Sequence, residues 1–263
     1  MHSYNISKHH SWRHWRRVIW PNCSPNFDPN SPDKWYCNSI REAAERYSWV
    51  GENPARDFEI LSSSLNNAFR KKDNETVARI CLAIFKWGGV GKNPNDKSVL
   101  WIERRRGSQT LCDDLAEACN LLEDMQANLS RFDGDRLLMN SAMTKVYAAL
   151  RPSELIIYDG RVGAALGLLA RHFLHSIKHS GPLPEELQFP WGKARGAQIR
   201  DPSDERFQFP QLFGQRKDIL HAEWMRRASD LLRKVVISVS SPSSCKLASL
   251  ERALFMIGYN VSR

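Results

Sequence analysis

The sequence predicts an all-α protein, on three observations. Apolar residues recur at helical spacing through most of the chain from residue 55 onward. No stretch is β-rich, and no internal repeat is present. Glycine and proline follow the periodic runs as stops: Gly88-Gly89, Pro152 and Gly258.

The elements follow in order. Residues 1–54 form a Trp/Pro/Asn-rich N-terminal extension with Trp12, Trp15, Trp20, Trp35 and Trp49. "WPNCSPNFDPNSPDKW" is a loop by its proline and asparagine content. A short helix is expected near 39–48, where Ser39 and Glu42 make a capping box. The arginines and tryptophans of "WRHWRR" suit phosphates and bases, although such a segment more commonly packs over its domain. Residues 55–263 make one helical domain. Its helices are expected over 55–72, 74–89, 109–132, 133–152 (broken in the middle and ended by Pro152), 158–179, 218–239 and a last segment stopped by Gly258. Residues 89–108 read as a loop and a short amphipathic piece, and 181–217 as a long irregular region rich in Pro and Arg.

A chain of 263 residues suits one large domain or two small ones sharing a cleft. The hydrophobic fraction of 42% supports a core, and 25% charged residues argue against bulk disorder. The net charge of +9 points to a polyanion, nucleic acid first. Cys23, Cys37, Cys81, Cys112, Cys119 and Cys245 form no CxxC pair and no cluster of four. That argues against a zinc ribbon, a close-spaced iron–sulfur cluster and a secreted disulfide scaffold. Reduced thiols in a cytoplasmic, soluble monomer are expected, with no membrane span, no signal peptide and no cofactor.

The chemistry concentrates at "LLMNSAMTKVYAALRPSELIIYDGRVGAAL", residues 137–166. Lys145 lies near the start of one helix and Asp159 opens the next, so a helix that runs out and a segment that returns can bring both to one cleft. Alone, Asp159 reads as a plain N-cap and Lys145 as a solvated lysine. The accompanying motifs favour a site.

"TKV" followed by an apolar run and "YDGRV" resembles the helix-hairpin-helix DNA glycosylases, in the 8-oxoguanine-glycosylase-like branch. "IFKWGGV" at 84–90 and "ERALFMIGY" at 251–259 look like a bacterial subgroup of that fold, and the resemblance covers about residues 55–263. It implies two helical subdomains with a cleft between them, and a catalytic lysine and aspartate at Lys145 and Asp159. The partner it implies is double-stranded DNA with a modified or damaged base. Oxidised guanine is one substrate class; the subgroup is also similar to an anti-phage glycosylase acting on glucosylated hydroxymethylcytosine. The family's glycine-containing turn before Thr-Lys is replaced here by Asn140-Ser141-Ala142-Met143. Asn140, Ser141 and Thr144 remain to cap the helix and meet a phosphate through side chains.

These residue types suit the reaction. Breaking a base–sugar bond builds positive charge on the sugar, which a carboxylate stabilises while it positions water. A lysine with a lowered pKa can attack the sugar carbon instead and form a Schiff base, giving lyase activity. Candidates to stack on a flipped base are Trp87 foremost, then Phe85, Tyr158, Trp191 and Phe209. Candidates to follow the DNA backbone are Arg161, Lys92 and Arg195, with Lys97, Arg104, Lys193 and Arg200. His172, His175 and His179 share a helix face, but no Cys or carboxylate at close spacing completes a metal site. "GGVGKN" lacks the spacing of a phosphate-binding loop, and no clustered carboxylates suggest a two-metal nuclease.

Overall fold

The computed structural model describes Cys37 and residues 39–49, 51–194, 196, 198–213, 217–238 and 246–261. Among them are nine α-helices: α1 (Ile40–Glu45), α2 (Pro54–Arg70), α3 (Asn74–Trp87), α4 (Lys97–Gly107), α5 (Leu111–Glu123), α6 (Met143–Leu150), α7 (Gly160–Ser176), α8 (Lys217–Ser238) and α9 (Leu247–Ile257). No strand forms among the described residues; a single bridge joins Trp191 to Gln211. The all-α expectation is met.

Most helix starts are written locally. Ser39, Asn53, Asp73 and Asp96 each accept a hydrogen bond from an N–H in the first turn, answering donors that a helix leaves open. Pro54 opens α2, where its missing N–H costs nothing. Gly88 closes α3 and Gly258 closes α9.

Two expected helices are shorter than their periodicity suggests. The run over 109–132 stops at Glu123, because Asp124 accepts from the Gln126 N–H and begins a turn. A 3-10 turn at Leu129–Arg131 follows, capped by Asn128. In the run over 133–152 only Met143–Leu150 is α-helical. Asp133 accepts from the Asp135 and Arg136 N–H groups, and Gly134 takes a left-handed φ of 86°. Those side chain–backbone bonds compete with the helix and win. The amphipathic piece after residue 96 is a full helix, α4.

The helices pack in two groups. In the first, α2 lies on α3 and α6, α3 lies also on α4, α5 and α6, and α5 touches α4 and α6. In the second, α9 packs on α1 and α7. The long α8 touches α5 in one group and α9 in the other. The core holds Leu65, Ile84, Phe85, Ile102, Leu115, Phe132, Tyr147 and Tyr158, all essentially without solvent contact. The buried Tyr147 hydroxyl donates to the Leu138 carbonyl at 2.7 Å, so no polar group is stranded there. The described cysteines Cys37, Cys81, Cys112 and Cys119 are buried free thiols. The irregular region is anchored by buried Trp191, Phe207 and Phe209. Residues 39–49 of the extension are attached to the 55–263 body through α1 on α9. No helix among the described residues is long and apolar enough to cross a membrane.

Candidate active site

The approach to Asp159 is fixed from three sides. Leu155, Ile156, Ile157 and Tyr158 are buried in a stretch without regular secondary structure. The Ile156 N–H donates to Ser229 Oγ at 3.1 Å and the Ile157 N–H to Glu251 Oε2 at 2.8 Å. The Tyr158 carbonyl accepts from His221 Nε2 at 2.6 Å, so that nitrogen carries the proton. Burial pushes the His221 pKa down to about 4, leaving the ring neutral. The Tyr158 hydroxyl donates to the Pro190 carbonyl at 2.9 Å.

Asp159 then caps α7. Its Oδ1 accepts from the Arg161 N–H at 2.9 Å and the Val162 N–H at 3.1 Å. Oδ2 takes no hydrogen bond or ion pair among the described residues. The cap therefore engages one carboxylate oxygen and aims the other.

Lys145, in the first turn of α6, is 6% exposed. Its stem passes over Gly88: a Cβ there would lie 2.5 Å from both Cδ and Cε of the lysine. Any other residue at 88 would displace the side chain. The Nζ donates to the Ser141 carbonyl at 2.8 Å. Burial is the main influence on its pKa and lowers it; Arg161 adds to the lowering, while Asp159 and Glu251 oppose it. Lys145, Asp159, Glu251 and Arg161 thus share one electrostatic neighbourhood, where the first helix group meets the second.

Glu251 escaped the sequence reading. It lies 94 positions from the N–H it accepts, on a helix where a glutamate looks like ordinary surface charge. Burial, aided by the Asp159 charge, pushes its pKa up to about 7, against the Ile157 N–H, Arg252 and Lys145. The folded chain therefore holds this proton between the ordinary value of 4.5 and about 7, where the unfolded chain releases it. Stability from this group falls as pH rises through that window. We expect the melting temperature of Glu251→Gln to gain on the wild type from pH 4.5 to 7 and then to level off. A constant difference across that range would exclude the raised pKa.

The aromatic candidates move. Phe85 and Tyr158 are core residues, as are Trp191 and Phe209, so none offers a face to a flipped base as placed. Trp87 is half-buried; its indole N–H donates to the Pro54 carbonyl at 3.0 Å and its ring lies 4.6 Å from Phe58. The rings gathered at the site are Trp49, Phe255 and Tyr259, whose centroids lie 5.0, 4.3 and 4.8 Å from the Arg161 guanidinium. Trp49 also donates to the Trp87 carbonyl at 2.9 Å and lies edge-on to Phe255. Its tryptophan content was legible, but its place was not.

The turn before α6 is sealed from within. Asn140 Oδ1 accepts from the Ala142 and Met143 N–H groups, and its amide donates to Ser98. Thr144 is fully buried with its hydroxyl on the Ser141 carbonyl, so it does not reach a phosphate. The Asn140 side chain is likewise committed to the cap, and the half-buried Ser141 supplies the carbonyl that holds Lys145. Among the basic candidates, Lys92 and Lys193 are exposed, Lys97 faces Asp218, and Arg104 pairs with Asp135. Arg195 lies outside the described residues, as does the "WRHWRR" segment. His175 binds Asp204, and His179 meets the Pro182 carbonyl.

No protein family, curated protein or solved structure matches the chain.

Proposed function

We propose that the chain is a DNA glycosylase that flips a modified base and cleaves its N-glycosidic bond, leaving an abasic site. One observation carries the reading: a buried lysine and a carboxylate with one oxygen free of the cap share a neighbourhood at the start of α7. Asp159 stabilises the cationic sugar and orients water. Lys145, its pKa lowered by burial, is the nucleophile that adds lyase activity. The junction of the two helix groups is the cleft between two subdomains, and the partner is double-stranded DNA met by a cytoplasmic monomer with no cofactor. The base we assign is a modified cytosine of phage DNA, which makes the protein an anti-phage defence enzyme; 8-oxoguanine repair is the second reading, favoured by the lysine's suitability for Schiff-base chemistry.

Incubation with phage DNA carrying modified cytosines, beside DNA containing 8-oxoguanine, tests the reading by the mass of the released base. Binding without release from either would leave a non-catalytic DNA-binding module. Borohydride tests the lysine: a wild-type crosslink to DNA should vanish in Lys145→Gln. A crosslink that survives removes Lys145 from the nucleophile's role.

A further inference from the structure

Arg161 and Arg200 differ from most arginines of the described chain. Arg161 stacks on three rings, yet its guanidinium makes no hydrogen bond and no ion pair among the described residues. Arg200 comes from the irregular region, held in place where the Val261 N–H donates to the Ile199 carbonyl at 2.8 Å and Gln198 donates to the Tyr259 hydroxyl at 2.9 Å. Its Nε is buried without a partner. Tyr259 ties the two together: its ring lies 4.8 Å from the Arg161 guanidinium, and its hydroxyl accepts from Gln198, two positions before Arg200. Burial lowers the pKa of each guanidinium, and Arg200 adds to the lowering at Arg161. One acid, Asp159, acts on both, and its Oδ1 is already engaged by the cap.

Both side chains are half-buried, and the buried Arg200 Nε is costly unless something anionic answers it. Guanidinium forks match the paired oxygens of a phosphate, and the positive end of α7 adds to the attraction. Rings on Arg161 hold its plane still without consuming its N–H groups.

We propose that Arg161 and Arg200 together form an oxyanion site beside Asp159, shaped for a phosphate group. Its occupant in the DNA-bound protein is an internucleotide phosphate, which rests on the glycosylase reading; the site itself does not. The site would anchor the strand next to the extruded nucleotide, in place of the sealed turn before α6.

Two measurements test it. In thermal melts at constant ionic strength, inorganic phosphate should raise the melting temperature of the wild type above its value in chloride. The shift should be lost in Arg200→Gln and reduced in Arg200→Lys, which keeps the charge but not the fork. In DNA titrations, the slope of log affinity against log salt should fall by about 1 in Arg200→Gln. A lost phosphate shift with an unchanged salt slope would keep the site and assign it to free phosphate. No phosphate-specific shift in the wild type, or the same shift in folded Arg200→Lys and Arg200→Gln, would overturn the proposal whether or not the protein releases a base.

Discussion

Replacing Asp159 by Asn should lower base release on the order of a thousandfold while leaving folding and DNA affinity close to the wild type's. The expectation follows from how the two oxygens are divided. Oδ1 serves the cap, and asparagine caps as well as aspartate does. What the substitution removes is the negative charge that Oδ2 would present to a sugar cation in the proposed reaction. It also removes the charge that supports protonated Lys145 and raises the Glu251 pKa, so both groups should titrate lower. Single-turnover release and a melting curve on the same sample separate chemistry from stability. Release at the wild-type rate would dismiss Asp159 from the reaction; a collapsed melting temperature would show that the cap needs the charge.

Gly258→Ala should be the most damaging small substitution in the second helix group. A Cβ at 258 would lie 1.8 Å from the Arg161 carbonyl oxygen, a backbone atom that cannot swing away. The Gly258 φ of −79° suits alanine, so the obstacle is space alone. Relief requires α9 to shift from the start of α7, at a cost of about 3 kcal/mol and a fall of roughly 6–12 °C in melting temperature. The same shift would pull Phe255, Tyr259 and Glu251 out of line, so activity should fall with stability. An alanine variant melting within about 1 °C of the wild type would show that α9 yields at this contact at little cost.

What the sequence revealed was what is local. The Asp159 cap, the placement of Lys145 near a helix start and the stops at Gly88 and Gly258 depend on neighbours a few residues away, and each is where the pattern put it. The helical start expected at 133–142, ahead of α6, failed the same test, because Asp133 and Gly134 form a competing local structure that apolar periodicity cannot register. Distant partners were out of reach. Nothing near Glu251 announces the Ile157 N–H, and nothing near Trp49 announces Arg161. Aromatic identity was ambiguous for a different reason: Phe85 and Tyr158 have the rings a base would stack on, but burial took them for the core.

The bond from Ile157 to Glu251 also sets a timetable. The carboxylate-bearing turn leaves the ribosome well before the helix that braces it, 94 residues further along. Closing a loop of that length is an entropic hurdle that local helices do not face. A nascent or partly refolded chain can thus own α6 and the cap of α7 before Glu251 reaches the Ile157 N–H. The bond that steadies the approach to Asp159 forms only once α9 has been made and has docked.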